Sequence, residues 1–250
     1  MAPEWRSTKT DIHAESVATL SGRGQRKRWI QLIKKKSEHL LFKALSYLIF
    51  YFLLFFFIIS IFLYSYSYIT ANEAEVLTTA LFSLLLPALA FAYLAHSGKS
   101  LNEAAADLGI IQKLRASKII AIGIVLFLIV LLLELSITLI GEITKISFAT
   151  NACEAITGMP LWFIFFVLVV GPIDEELFFR GFLVKRIGII LSAVLFAVLH
   201  AGYGSTFGID IIAAFVFGII AGYIFKKTSS IYPSLIGHIL VNVIAVLGCL

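Results

Sequence analysis

Three short stretches in the last third of the chain place acids, bases and an amide inside long apolar runs. The first is Asp174-Glu175-Glu176-Leu-Phe-Phe-Arg180. The second ends in His200, four residues after Phe196. The third pairs His238 with Asn242, again four residues apart. In hydrocarbon an ionisable side chain costs about 2.5–3.5 kcal/mol on insertion scales, so such a concentration calls for a chemical reason. A carboxylate, two imidazoles and a carboxamide can together supply a general base, a proton carrier and donors for a developing oxyanion.

Spacing sorts these groups further. Glu176 and Arg180 are i,i+4 on a helix and can pair on one face. Glu175 points about 100° away and is left to face another helix. A structural ion pair accounts for Glu176 and Arg180 but not for the acids beside them. His238 and Asn242 project from a single helix face, where they could also serve as helix–helix hydrogen-bond contacts. A lone His200 would be an ordinary satisfied core group, and it is the combination that points to a reactive site. An acid in low dielectric holds its proton more tightly, which brings a glutamate closer to what a base at neutral pH needs.

Groups of this kind need a scaffold that keeps them out of lipid, and the composition says which. The chain has 250 residues, 60% hydrophobic and 14% charged, with mean hydropathy +0.98. Soluble domains are about 45–50% apolar and about 25% charged. An integral membrane protein built as one all-α, polytopic helical bundle follows. Taking about twenty apolar residues per span, seven stretches qualify: 41–64, 76–95 with a kink expected at Pro87, 119–140 containing Glu134, a fourth from Pro160 through the acidic motif, 187–203, 209–225, and a seventh after Ser229-Ser230 and Pro233. A re-entrant eighth piece would change where the C-terminus emerges. Gly171-Pro172 is expected to interrupt the fourth helix, with Pro172 starting a fresh one. The segment Gly98–Lys118 reads equally as an amphipathic surface helix or a loop.

Between Arg6 and Lys43 stand ten basic residues against three acidic ones. Placed before the first span, they read as a cytosolic anchor facing anionic lipid rather than as a nucleic-acid patch. The 99–118 loop, Arg180-Lys185-Arg186 and Lys226-Lys227 are also basic, while the alternating loops are not, which puts the N-terminus in the cytosol. About forty mostly polar residues precede the first apolar run, too many for a cleavable signal. Cys153 and Cys249 lack metal or redox spacing, and a bridge between them stays open. At about 1.5 Å per residue, Glu175 lies about 8 Å from Arg180, yet His200 falls about 20 Å from the start of its span. Tilt, a later helix start or a deep cavity would reconcile them.

The pattern EExxxR, FxxxH, HxxxN, here Glu175-Glu176-Leu-Phe-Phe-Arg180, Phe196-Ala-Val-Leu-His200 and His238-Ile-Leu-Val-Asn242, resembles the CPBP family of intramembrane proteases. That family includes the type II CaaX prenyl endopeptidases and the Abi or bacteriocin-processing proteins. The resemblance covers about residues 160–246 and divides the chain into a basic tail, 1–40, and a bundle, 41–250, whose 160–246 part carries the motifs. It implies an endopeptidase acting on membrane-associated, prenylated CaaX or leader-peptide substrates. Glu175 would be the general base, His200 would hold the water, His238 and Asn242 would bind the oxyanion, and Glu176 and Arg180 would support the site. No cofactor is expected.

The rivals differ in chemistry. His200, His238 and Glu175 could instead ligate zinc, though HExxH is absent. A rhomboid-type serine protease finds only Ser205 near Gly204. An aspartyl protease would want GxGD, against Gly171-Pro-Ile-Asp174 here. A transporter or proton relay would show internal repeats with paired broken helices, and none stands out. A non-catalytic immunity protein on the same scaffold remains a third class.

Overall fold

The computed structural model describes residues 9–111, 113–145, 153, 159–200 and 209–249, and every element among them is helical. The helices that lie wholly within the described residues before the motifs are α1 (Lys9–Ser65), α2 (Ala71–His96), the short α3 (Leu101–Asp107) and α4 (Ala116–Thr144). The motif-bearing part is α5 (161–187), α6 (Ile189–His200), α7 (Ile209–Thr228) and α8 (Tyr232–Cys249). Gln25–Ser65 of α1, Glu73–His96 of α2, α4, Ile211–Thr228 of α7, and α8 are each long and apolar enough to cross a membrane. α6 is apolar but shorter. Each of the seven expected apolar stretches is thus helical over most of its described residues, within an integral membrane bundle.

Local signals set several boundaries. Thr70 and Glu73 form a capping box at the start of α2, the Thr70 hydroxyl accepting from Glu73 N–H and the Glu73 carboxylate accepting from Thr70 N–H. Ser100 and Glu103 repeat the device at α3. The 98–118 segment therefore splits the two expectations: one short helix, then a connection into α4. Its seam is Leu108, fully buried and in the second core cluster with Ala90, Leu94, Ala104 and Phe182. Pro87 lies inside an uninterrupted α2.

α1 continues well beyond a bilayer's thickness, so the basic block shares one helix with the first span. It packs along α2 through Phe42–Phe91 and Phe57–Phe82 ring contacts. Phe52, Phe55 and Phe56 stay exposed, as an aromatic face turned toward lipid would be. Elsewhere small residues let helices approach closely. A Cβ at Gly237 of α8 would stand 3.1 Å from the Gly123 carbonyl oxygen of α4, and one at Gly181 of α5 would stand 2.6 Å from the Leu108 carbonyl oxygen. The main core joins Leu86, Leu126, Val130, Phe179, Phe196, Ala214 and Phe217, drawn from α2 and from α4 through α7. Cys153 and Cys249 are disulfide-bonded, closing the question left open above.

The fourth span departs from expectation. Gly171-Pro172 does not break it. α5 runs as Leu161–Phe165, a wide π turn Phe166–Val170, Gly171–Glu175, a second wide turn Glu176–Leu183, and Val184–Ile187, with right-handed helical backbone at each junction. A π turn takes up the proline because its hydrogen bonds reach back one residue further than those of an α-helix.

Candidate active site

Three consecutive acids leave α5 in three directions, as about 100° per residue requires. Asp174 is buried and accepts from Ser83 Oγ of α2 at 3.2 Å. Glu176 is fully buried, 3.1 Å from Arg180 Nη1 and 3.1 Å from His238 Nδ1. Glu175 alone opens into a cavity of about 240 Å³, its side chain 23% exposed. Of the two acids that spacing left without a same-helix partner, Asp174 is held by α2 and Glu175 is the one turned toward open space.

Glu175, His200, His238 and Asn242, from α5, α6 and α8, all line that cavity. His238 stands between two carboxylates. Its Nδ1 is hydrogen-bonded to the Glu176 carboxyl group at 3.1 Å, and its Nε2 is 3.6 Å from Glu175 Oε2. His200 Nδ1 donates to the Phe196 carbonyl at 2.8 Å. A carbonyl only accepts, so a proton sits on Nδ1, and the tautomer this fixes for the neutral ring is the one with its lone pair on Nε2. Asn242 Nδ2 donates to the Val167 carbonyl at 2.9 Å.

The depth problem has a definite answer. α5 does not end near Arg180; it continues to Ile187, Gly188 turns the chain at φ +85°, and α6 starts at Ile189. Glu175 and His200 lie almost equally far from Gly188 along the two arms of one hairpin, which brings them level. The fifth span was expected to extend to Tyr203. That end, with Ser205, falls outside the described residues.

Arg180 is held mainly by charge and ring faces. It is 1% exposed and lies 4.1 Å from the Phe196 ring centre and 4.9 Å from that of Phe217. Its nitrogens make no aligned hydrogen bond, although Glu176 is at ion-pair distance. A buried guanidinium with one counter-ion has little else to compensate its lost hydration. Phe196 also packs at a tilt against the His200 ring, 4.4 Å between centres, and meets the His238 ring edge-on. One phenyl ring thus packs against three of the site's polar groups.

Phe196 stood in the FxxxH motif without a role, and its helical spacing to His200 was the available signal. Glu134 and Thr79 also line the cavity, and Ser83 both lines it and anchors Asp174. Glu134 is visible as an ionisable residue within the third span, but nothing in the local sequence of Thr79 or Ser83 separates them from ordinary polar residues of a span. As to zinc, no cluster of three His, Cys, Asp or Glu side chains among the described residues is arranged to hold a metal. His238 instead turns one nitrogen to each of two carboxylates, so no step is derived through a metal.

No curated protein and no solved structure matches the chain. Residues 157–244 match the Rce1-like family model, type II CAAX prenyl endopeptidase Rce1-like, so this part of the chain carries an Rce1-like domain, in agreement with the CPBP resemblance of its three motifs.

Proposed function

We propose that the protein is an intramembrane endopeptidase that hydrolyses a peptide bond with a water activated by Glu175. The observation that carries this reading is the direction of the three acids: only Glu175 faces the cavity shared by His200, His238 and Asn242. Glu175 takes the proton of a water held against His200 Nε2. The water attacks the scissile carbonyl, and His238 and Asn242 serve the oxygen that becomes negative; as the carbonyl re-forms the C–N bond breaks, and Glu175 returns the proton to the departing amine. Glu176 supports the site by fixing His238 through Nδ1, and Arg180 supports it by pairing with Glu176 at 3.1 Å.

The substrate is a membrane-associated peptide or protein, with a prenylated CAAX tail as the first candidate, and neither nucleic acid nor a cofactor takes part. The N-terminus faces the cytosol, where the basic face of α1 meets anionic lipid. The test is cleavage of a farnesylated CAAX peptide, with peptide-terminus proteomics in cells, comparing the native protein with Glu175→Gln and His200→Ala. Both variants are expected to fold and to leave the termini uncut. Full activity in either removes its assigned role.

A further inference from the structure

The π turn before the acidic motif leaves one carbonyl without a partner from its own helix. Within Phe166–Val170 the hydrogen bonds reach five residues back, and Gly171 N–H is given to the Phe166 carbonyl. In that register the donor for the next carbonyl, Val167, would be residue 172, which is proline and has no N–H. The alternative α-helical donor is Gly171 N–H, already committed to Phe166. The carbonyl that the sequence orphans is the one that Asn242 Nδ2 reaches from α8, at 2.9 Å.

We infer that Asn242 is a positioning residue whose side-chain amide supplies, from another helix, the hydrogen bond that Pro172 withholds from Val167. Without this donor the Val167 carbonyl would be left unpaired or to the water of the cavity it lines, so the amide is what ties the wide turn to α8. The turn in turn sets where Glu175, three residues beyond Pro172, enters the cavity. The third motif is thereby tied to the backbone just before the first. The amide carries two hydrogens, so the second N–H can still serve the oxyanion in the role proposed above. For catalysis the inference rests on that hydrolase reading; for the helix it stands by itself.

The test is a double-substitution cycle on the full-length protein in detergent micelles. It is read by melting temperature and by kcat and KM on a farnesylated CAAX peptide. Asn242→Ala is expected to lower the melting temperature by several degrees and kcat about tenfold, with KM little changed. Pro172→Ala returns an N–H to position 172. In that background Asn242→Ala should cost markedly less melting temperature, and part of the kcat loss should be recovered. Equal losses in the two backgrounds overturn the inference. Should Pro172→Ala fail to fold, Asn242→Gln against Asn242→Ala decides in the native background. The longer amide still carries a donor and should keep most of the melting temperature, and equal loss in both overturns the proposal. Melting needs no turnover, so coupling in a protein that leaves the peptide uncut sinks the hydrolase reading alone. Turnover without coupling sinks the positioning role alone.

Discussion

α5 carries two charge clusters, one at each end of its second half, and each sets an arginine and further basic groups against carboxylate. The inner one is Glu175, Glu176, Arg180 and His238. The outer one gathers Lys99, Lys185 and Arg186 around Asp107, at 3.2, 3.4 and 2.8 Å, with Lys185 also donating to the Asp107 carbonyl. Each contains an arginine lying against two aromatic rings: Arg180 on Phe196 and Phe217, Arg186 on Phe182 and Tyr93. They differ in access to solvent. Arg180 is 1% exposed and has a single close carboxylate, whereas Arg186 is 23% exposed and shares Asp107 with two lysines. Removing a partner from the inner cluster strands a charge that has nowhere to go. In the outer cluster solvent and neighbouring charges make up the loss.

That contrast can be broken or sharpened in order of expected effect. Glu175→Gln should reduce peptide cleavage by about 10²–10⁴-fold, while Asp107→Asn leaves turnover near its native value. Similar losses in the two variants would erase the distinction between a reactive and a structural cluster. Glu176→Gln should lower the unfolding free energy by about 3–5 kcal/mol, since it leaves Arg180 buried without a counter-ion. Denaturant melts in micelles would register this, and a loss under 1 kcal/mol would show that water reaches Arg180. Asp107→Asn should cost only about 1 kcal/mol.

The outer cluster also has a pH signature. Burial raises the Asp107 pKa, but Arg186, Lys99 and Lys185 outweigh it and hold the carboxyl below its ordinary value. A lowered folded value means that the stabilisation is fully present above the unfolded pKa of about 3.9 and is lost as pH falls through the folded value. The stability gap between the native protein and Asp107→Asn should therefore be constant near pH 6–7 and close below about pH 4. A gap that widens on acidification contradicts the assigned sign. The smallest effect expected is none: prior treatment with a chelator should leave cleavage unchanged, and activity lost and then restored by zinc would revive the metal alternative.

Much of this molecule is written in local patterns. The apolar stretches announce helices because hydrocarbon leaves the backbone no other partners, and all seven are helical over most of their described residues. Spacing alone assigned the Glu176–Arg180 pair and freed Glu175 for the cavity, because a helix fixes the angle between neighbours. The capping boxes Thr70–Glu73 and Ser100–Glu103 are equally local and equally legible.

What remained was decided by contacts between helices far apart in sequence. The proline expected to break α5 is accommodated in a wide turn, and the carbonyl it orphans is met from α8, seventy-five residues further on. His200 comes level with Glu175 only because α5 continues to a hairpin at Gly188, which a count of residues from Arg180 cannot reveal. His238 is oriented by two carboxylates of another helix, and Phe196 becomes the wall behind three polar groups. Periodicity governs where a side chain points from its own axis. Which group it meets depends on how the axes cross, and that is settled by close packing at Gly123, Gly181 and Gly237 across the whole bundle.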